Sequence, residues 1–281
     1  MTPRSDKSRK LLDWTVKAIS VCAALLGIFF LGWILFVVVE RGIAAINWQF
    51  FTKLPTPPGM EGGGVSNAIL GTVFMTGIAA LIGVPAGLLA GVYLAEFGKH
   101  SRLGAWVRFT VNVLMGIPSI ILGLFVYSIL VYPFGSFSGL AGGVSLAILM
   151  FPVVARTTED MLSMVPNALR EAALSIGNPR WLATLNIIFR AAKSGLITGV
   201  LLSVARVSGE TAPLLFTALN SSYMMKSLNE PFANLTVTIY QYAMSPYDDW
   251  NQIAWGASLL IMIAVLLLNL AARFVVREKK I

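Results

Sequence analysis

The sequence predicts an all-α integral membrane protein, a bundle of six transmembrane helices with both termini in the cytosol. Three observations carry that prediction. The chain is 57% hydrophobic and only 12% charged, far from the average of a soluble domain. Six windows approach or exceed the ~20 apolar residues that a ~30 Å hydrocarbon core demands. Basic residues crowd into every second connecting segment. The windows are continuously apolar rather than alternating, which selects helices over barrel strands.

Residues 1–17 form a basic tail, followed by a first span at 18–39. That apolar run is too long for a signal-peptide core and no small-residue cleavage site follows it, so it reads as a retained anchor. Cys22 within it is the chain's single cysteine and has no internal partner for a disulfide. Residues 40–66 are expected to form an external loop. Its part from 47 onward carries Pro55, Pro57, Pro58 and Gly62-Gly63-Gly64, a composition that resists regular structure.

The membrane domain proper is expected over 67–272. Its first span, 67–94, carries Gly83, Gly87 and Gly91 four apart, a stripe on which a neighbouring backbone can close in. Pro85 lies in that span, and Gly116-Ile-Pro118-Ser119 lies in the next, 109–131. Each proline removes one backbone hydrogen bond and is expected to bend its helix. The fourth span, 140–154, is short, with a start anywhere between Gly135 and Gly143. A connecting segment at 156–193, a fifth span at 195–219, an external segment at 220–250 and a sixth span at 251–272 complete the domain. A second basic tail occupies 273–281.

Charge orients the bundle. One set of connections holds Arg4, Lys7, Arg9, Lys10 and Lys17, then Lys99, Arg102 and Arg108. It continues with Arg156, Arg170, Arg180, Arg190 and Lys193, and ends with Arg273, Arg277, Lys279 and Lys280. The opposite set holds only Arg41, Lys53 and Lys226. The positive-inside rule places the first set in the cytosol. The net charge of +8 therefore reflects topology and a lipid bilayer, with no nucleic acid implied. Either external segment, the second holding Glu230, Asp248 and Asp249, is a place for an extracytoplasmic partner or a simple solvated connection.

The 156–193 segment is long for a link. Pro166 suits the first turn of a helix and Gly177 its end. Between them Leu169, Ala172, Ala173 and Ile176 recur at i, i+3, i+4 and i+7, giving one apolar face with Arg170 and Glu171 at or beside its edge. Such a helix lies on the membrane surface, packs under the bundle or enters a partner's groove; periodicity alone does not choose.

Within the fifth span stands Arg206-Val-Ser-Gly-Glu210-Thr-Ala-Pro213, a guanidinium and a carboxylate in an apolar stretch. Each costs ~2.5–3.5 kcal/mol on insertion scales, so such residues face a bundle interior or a pathway. Arg206 lies about a dozen residues past the cytosolic end of its span, ~18 Å into the core at ~1.5 Å per residue, too deep to snorkel easily. Helical stepping sets Gly199, Ser203, Arg206, Glu210, Pro213 and Thr217 on one stripe. Arg206, Glu210, Ser203, Thr211 and Thr217 are the candidate pathway residues, with Pro118 and Pro213 as kinks. An arginine fork suits a tetrahedral oxyanion. Glu210 has three readings: a partner for Arg206 at i+4, an acceptor for the proton of a protonated oxyanion, or an anion that the transported oxyanion displaces during a cycle.

Two motifs carry a resemblance. Glu171-Ala172-Ala173, three residues, Gly177, nine residues and Ile187 resemble the EAA loop of binding-protein-dependent ABC importer permeases. The Leu-Pro that closes that pattern is Phe189-Arg190 here. Arg206 to Thr217, Pro57-Pro58-Gly59 with Gly62–Gly64 and Asn67, and Gly116 to Tyr127 are similar to permeases of phosphate-specific importers. The resemblance implies a type I (MetI-like) permease bundle in the bacterial cytoplasmic membrane. It also implies Glu171, Ala172, Ala173 and Gly177 as the ATPase dock. The implied partners are a second homologous permease, two copies of a cytosolic ABC ATPase and an extracytoplasmic phosphate-binding protein. ATP and magnesium would be bound by the ATPase, leaving this chain without a cofactor of its own.

No Gly-x4-Gly-Lys-[Ser/Thr] loop occurs, so a non-catalytic transport subunit is expected, with no catalytic residues. His100 is the only histidine, and no cluster has metal-site spacing. The competing readings are a permease for phosphonate, sulfate or molybdate, and an ion-coupled secondary transporter. The latter is disfavoured by the absence of evident inverted repeats. A receptor or scaffold would leave the polar stripe unexplained.

Overall fold

The computed structural model describes residues 6–60 and 62–277. Arg4, Lys279 and Lys280, used in the orientation argument, lie outside them. Helix α1 (Asp6–Ala45) runs well beyond the expected span, because its basic first turns and its end at Ala45 remain helical. It meets the rest only near its far end, where Gly42 lies against Leu259 and the Trp255 carbonyl and the Arg41 guanidinium sits 5.2 Å from the Trp255 ring centre. The expected irregular loop is interrupted by α2 (Trp48–Thr52). Asn47 caps it by accepting from the Phe50 N–H at 2.8 Å, and the Phe50 ring is buried.

The core of the bundle is α3 (Ser66–Val92) laid parallel against α7 (Gly139–Ser163). Both register and direction follow from the glycine stripe. Gly83 faces the Ala147 carbonyl and Met150, Gly87 faces the Phe151 carbonyl and Val154, and Gly91 faces the Ala155 carbonyl and Thr158. Each step of four on α3 matches a step of four on α7, so backbones rather than side chains set the spacing. A Cβ added at Gly91 would lie 2.5 Å from the Ala155 carbonyl oxygen, and backbone cannot yield. Gly91→Ala is expected to cost about 1–3 kcal/mol as overpacking, read as a lowered unfolding midpoint in detergent. Gly27→Ala, with nothing within 4 Å, is expected to leave that midpoint unchanged.

Helix α3 passes through Pro85 without a break and ends in a wide π turn, Tyr93–Phe97. The next span is not one rod. Helix α4 (Arg102–Gly116) stops at Ile117, α5 (Ser119–Val126) begins after Pro118, and the two directions differ by 105°. Pro118 disfavours the helical region for Ile117, whose ψ of 129° is extended. A second wide turn and α6 (Tyr132–Phe134) end this arm at Gly135, whose φ of +68° suits a residue without a Cβ.

Helix α7 starts at Gly139 under a Ser138 cap and outruns the expected 140–154 by a full two turns. Arg156, Glu159 and Asp160, expected in the loop, pair along its face at i+3 and i+4 and keep it helical. Helix α8 (Asn167–Ser175) follows, with Pro166 as its cap rather than in its first turn. Gly177 ends it at φ +83°. From α9 (Arg180–Ala183) through a third wide turn to α10 (Phe189–Ser208) the chain is helical throughout, since Phe189-Arg190 lacks the proline that would interrupt it. The expected fifth span then breaks. Residues 209–211 separate α10 from α11 (Ala212–Thr217), where Pro213 sits in the first turn against Gly123 of α5. Helices α12 (Leu235–Ala243) and α13 (Asp248–Arg277) close the fold. Among the described residues five helices are long and apolar enough to span a bilayer, six crossings if the bent pair is counted as one span.

Candidate functional site

The helix break puts Arg206 and Glu210 on a common cavity. Gly209 ends α10, and the Glu210 N–H donates to the Val207 carbonyl at 3.1 Å. From the other side the Thr236 hydroxyl donates to the Glu210 carbonyl at 2.8 Å. The main chain of Glu210 is thus held twice, while its carboxylate makes no hydrogen bond among the described residues. The cavity, about 250 Å³, has room for a small anion with part of its water shell. Its wall comes from the end of α4 and the bend (Leu114, Met115, Ile117, Pro118), from Ser119 of α5, and from Leu149, Pro152 and Val153 of α7.

Arg206 and Glu210 form no ion pair here. The i+4 pairing read from a continuous helix fails because α10 ends at Ser208, so Glu210 is not one turn above Arg206. The polar stripe divides as well. Ser203 is buried and donates to the Gly199 carbonyl at 2.8 Å, and Gly199 packs on Thr157 of α7. Thr217 is buried and donates to the Pro213 carbonyl, with the Ser145 hydroxyl 3.4 Å away. These two face α7 inside the bundle, and neither they nor Thr211 line the Arg206 cavity. Pro118 and Ser119, from the motif expected to bend its helix, line the same cavity as Arg206.

At the end of the bundle that carries the basic connections, α8 and its C-cap present Glu171, Leu169, Ala172 and Ile176 outward, Ile176 being 74% exposed, while Ala173 turns into the bundle. Beneath it lie ion pairs absent from the sequence reading. Arg170 meets Glu96 at 2.9 Å, and Arg108 meets Glu159 at 2.6 Å. Each joins helices far apart in sequence, so no local spacing announces them. Among the described residues, no group of histidine, cysteine and carboxylates has metal-site geometry.

Residues 83–278 match the model of a family described as binding-protein-dependent transport system inner membrane component. Among curated proteins, the phosphate transport system permease protein PstA of Haemophilus influenzae is 49% identical over 97% of this chain and 96% of its own length. The probable phosphate transport system permease protein PstA of Methanocaldococcus jannaschii is 35% identical over 99% of both chains. Two solved structures share the fold. The inward-facing MetNI methionine ABC transporter aligns with a TM-score of 0.65 and 23% identity over 76% of this chain and 94% of that one. A bacterial ABC transporter involved in the import of the acidic polysaccharide alginate aligns with a TM-score of 0.62 and 15% identity over 97% and 100%.

Proposed function

The chain belongs to the family of binding-protein-dependent transport system inner membrane components, and from that premise we propose that it is the permease subunit of an ATP-driven importer of inorganic phosphate. Full-length similarity to phosphate permeases carries the substrate. The Arg206 cavity supplies chemistry that suits it, since the guanidinium offers a permanent charge and a planar fork to an oxyanion. Binding there must be weak enough for release, and a site open to the cavity rather than enclosed by ion pairs meets that need.

The rest of the machine follows from the same premise. A second homologous permease would complete the pathway, two ABC ATPase copies holding ATP and magnesium would drive it, and an extracytoplasmic phosphate-binding protein would deliver the anion. Helix α8 is the ATPase dock in this reading. Its outward Leu169, Ala172 and Ile176 form the apolar face, and Glu171 stands beside it. Ala172→Glu places a charge in the middle of that face. Co-purification of the ATPase is expected to fall about tenfold, or ~1.4 kcal/mol, with folding of this chain unaffected.

The deciding experiment reconstitutes the whole complex in vesicles and follows ATP-dependent phosphate uptake, with sulfate as competitor. Uptake that needs ATP and resists sulfate is the expected result. Transport of sulfate in preference to phosphate, or transport without an ATPase, would replace this reading with one of the alternatives.

A further inference from the structure

Two arginines meet at one wide helical turn, and that turn lies between the docking helix and the cavity. Arg170 of α8 uses its whole fork. Its Nε donates to both Glu96 oxygens at 3.2 Å, and its Nη2 donates to Glu96 at 2.9 Å and to the Leu162 carbonyl at 2.6 Å. Its Nη1 donates to Asn167 at 3.2 Å and to the Val165 carbonyl. The pair is mostly shielded, the side chains being 19% and 9% exposed. Glu96 belongs to the π turn Tyr93–Phe97 that ends α3. Two residues earlier in that turn, the Leu94 carbonyl accepts from Arg108 Nη2 at 2.9 Å, and Arg108 Nε donates to Glu159 of α7 at 2.6 Å.

Arg108 is on α4. Six and seven residues further along the same helix, ~9–11 Å away at ~1.5 Å per residue, Leu114 and Met115 line the cavity that Arg206 shares. Beyond them the chain turns through 105°. A short helix therefore has its cavity end next to a sharp bend and its middle bonded to the turn that holds α8. Wide turns of this kind are local departures from α geometry and recur at functional positions.

Building on the proposed function, we infer that Glu96, Arg170 and Arg108 are positioning residues through which the docking helix sets the place of the α4 wall of the Arg206 cavity. They touch neither nucleotide nor anion. Their work is to make a displacement of α8 felt at Leu114 and Met115, so that hydrolysis by the partner is tied to opening of the pathway.

The test uses the complete reconstituted complex and reads phosphate moved per ATP hydrolysed. Glu96→Gln keeps the shape and removes the charge. The ATPase is expected to co-purify and hydrolyse ATP as before, while phosphate moved per ATP falls about threefold or more. Arg108→Gln is expected to do the same, and the double variant to lose less than the product of the two single losses. A wild-type ratio in both single variants, or losses that multiply, overturns the inference. Should Glu96→Gln not assemble, Glu96→Asp is judged by the same ratio. A wild-type complex that moves no phosphate would instead remove the functional reading on which the inference rests.

Discussion

Arg206→Gln is expected to lower ATP-dependent phosphate uptake by about tenfold to a hundredfold, the loss that follows from ~1.5–3 kcal/mol for a hydrogen bond to a charged group. Glutamine is shorter and offers only a neutral donor, so the cavity loses the one arginine that lines it. Arg206 is exposed in the isolated chain, which places the effect nearer the lower figure unless the second permease encloses it. Arg206→Lys separates charge from geometry. It keeps the cation and loses the planar fork, so uptake is expected to fall between wild type and glutamine. Proteoliposome uptake at saturating ATP measures both. Wild-type uptake by Arg206→Gln would end the role given to this residue.

The sequence reached different depths for different parts of this molecule. A close backbone approach to α3 was legible, because it needs small residues at a fixed step and Gly83, Gly87 and Gly91 supply them in one short window, but nothing in that window names α7 as the neighbour. The bend at Ile117–Pro118 was legible for a similar reason, since proline acts on its immediate neighbour. The break at 209–211 is invisible to average hydropathy over 195–219, which registers lipid solubility and not helix continuity. A signal was present: Gly209 at a helix end and Pro213 in a helix first turn carry the usual punctuation in that order. Missing it carried the i+4 pairing of Arg206 with Glu210 and the single polar stripe along with it.

The ion pairs beneath α8 belong to another class. Arg170 and Glu96 are 74 positions apart, and Arg108 and Glu159 are 51 apart. Pairing at such distances is created by the fold, whereas sequence spacing reports only neighbours on one helix. In the charge census Arg108 and Arg170 counted as cytosolic loop cations. They do lie on the basic side, but both are committed to carboxylates and backbone carbonyls, so part of the basic bias is structural bonding.

Glu210→Gln is the second large effect, expected in selectivity more than in rate. The broken helix takes Glu210 out of i+4 register with Arg206: no ion pair joins them in the isolated chain, and the Glu210 main chain is fixed from both sides. What remains is a carboxylate and a guanidinium facing one cavity. Hydrogenphosphate can satisfy both, accepting from the arginine fork and donating its remaining proton to the carboxylate. Sulfate has no proton to donate at neutral pH, so its oxygens would meet the carboxylate unpaired, a repulsive element that acts only against the wrong anion. Glutamine offers an N–H where the carboxylate offered only acceptors, and that repulsion disappears. Sulfate is then expected to inhibit phosphate uptake at about tenfold lower concentration than in wild type, the equivalent of ~1.4 kcal/mol of lost discrimination. Competition curves at fixed phosphate and pH 7, run on both proteins in the same vesicles, give that ratio directly. A ratio of one would mean that discrimination is made before the anion reaches Arg206, and Glu210 would then have no part in choosing it.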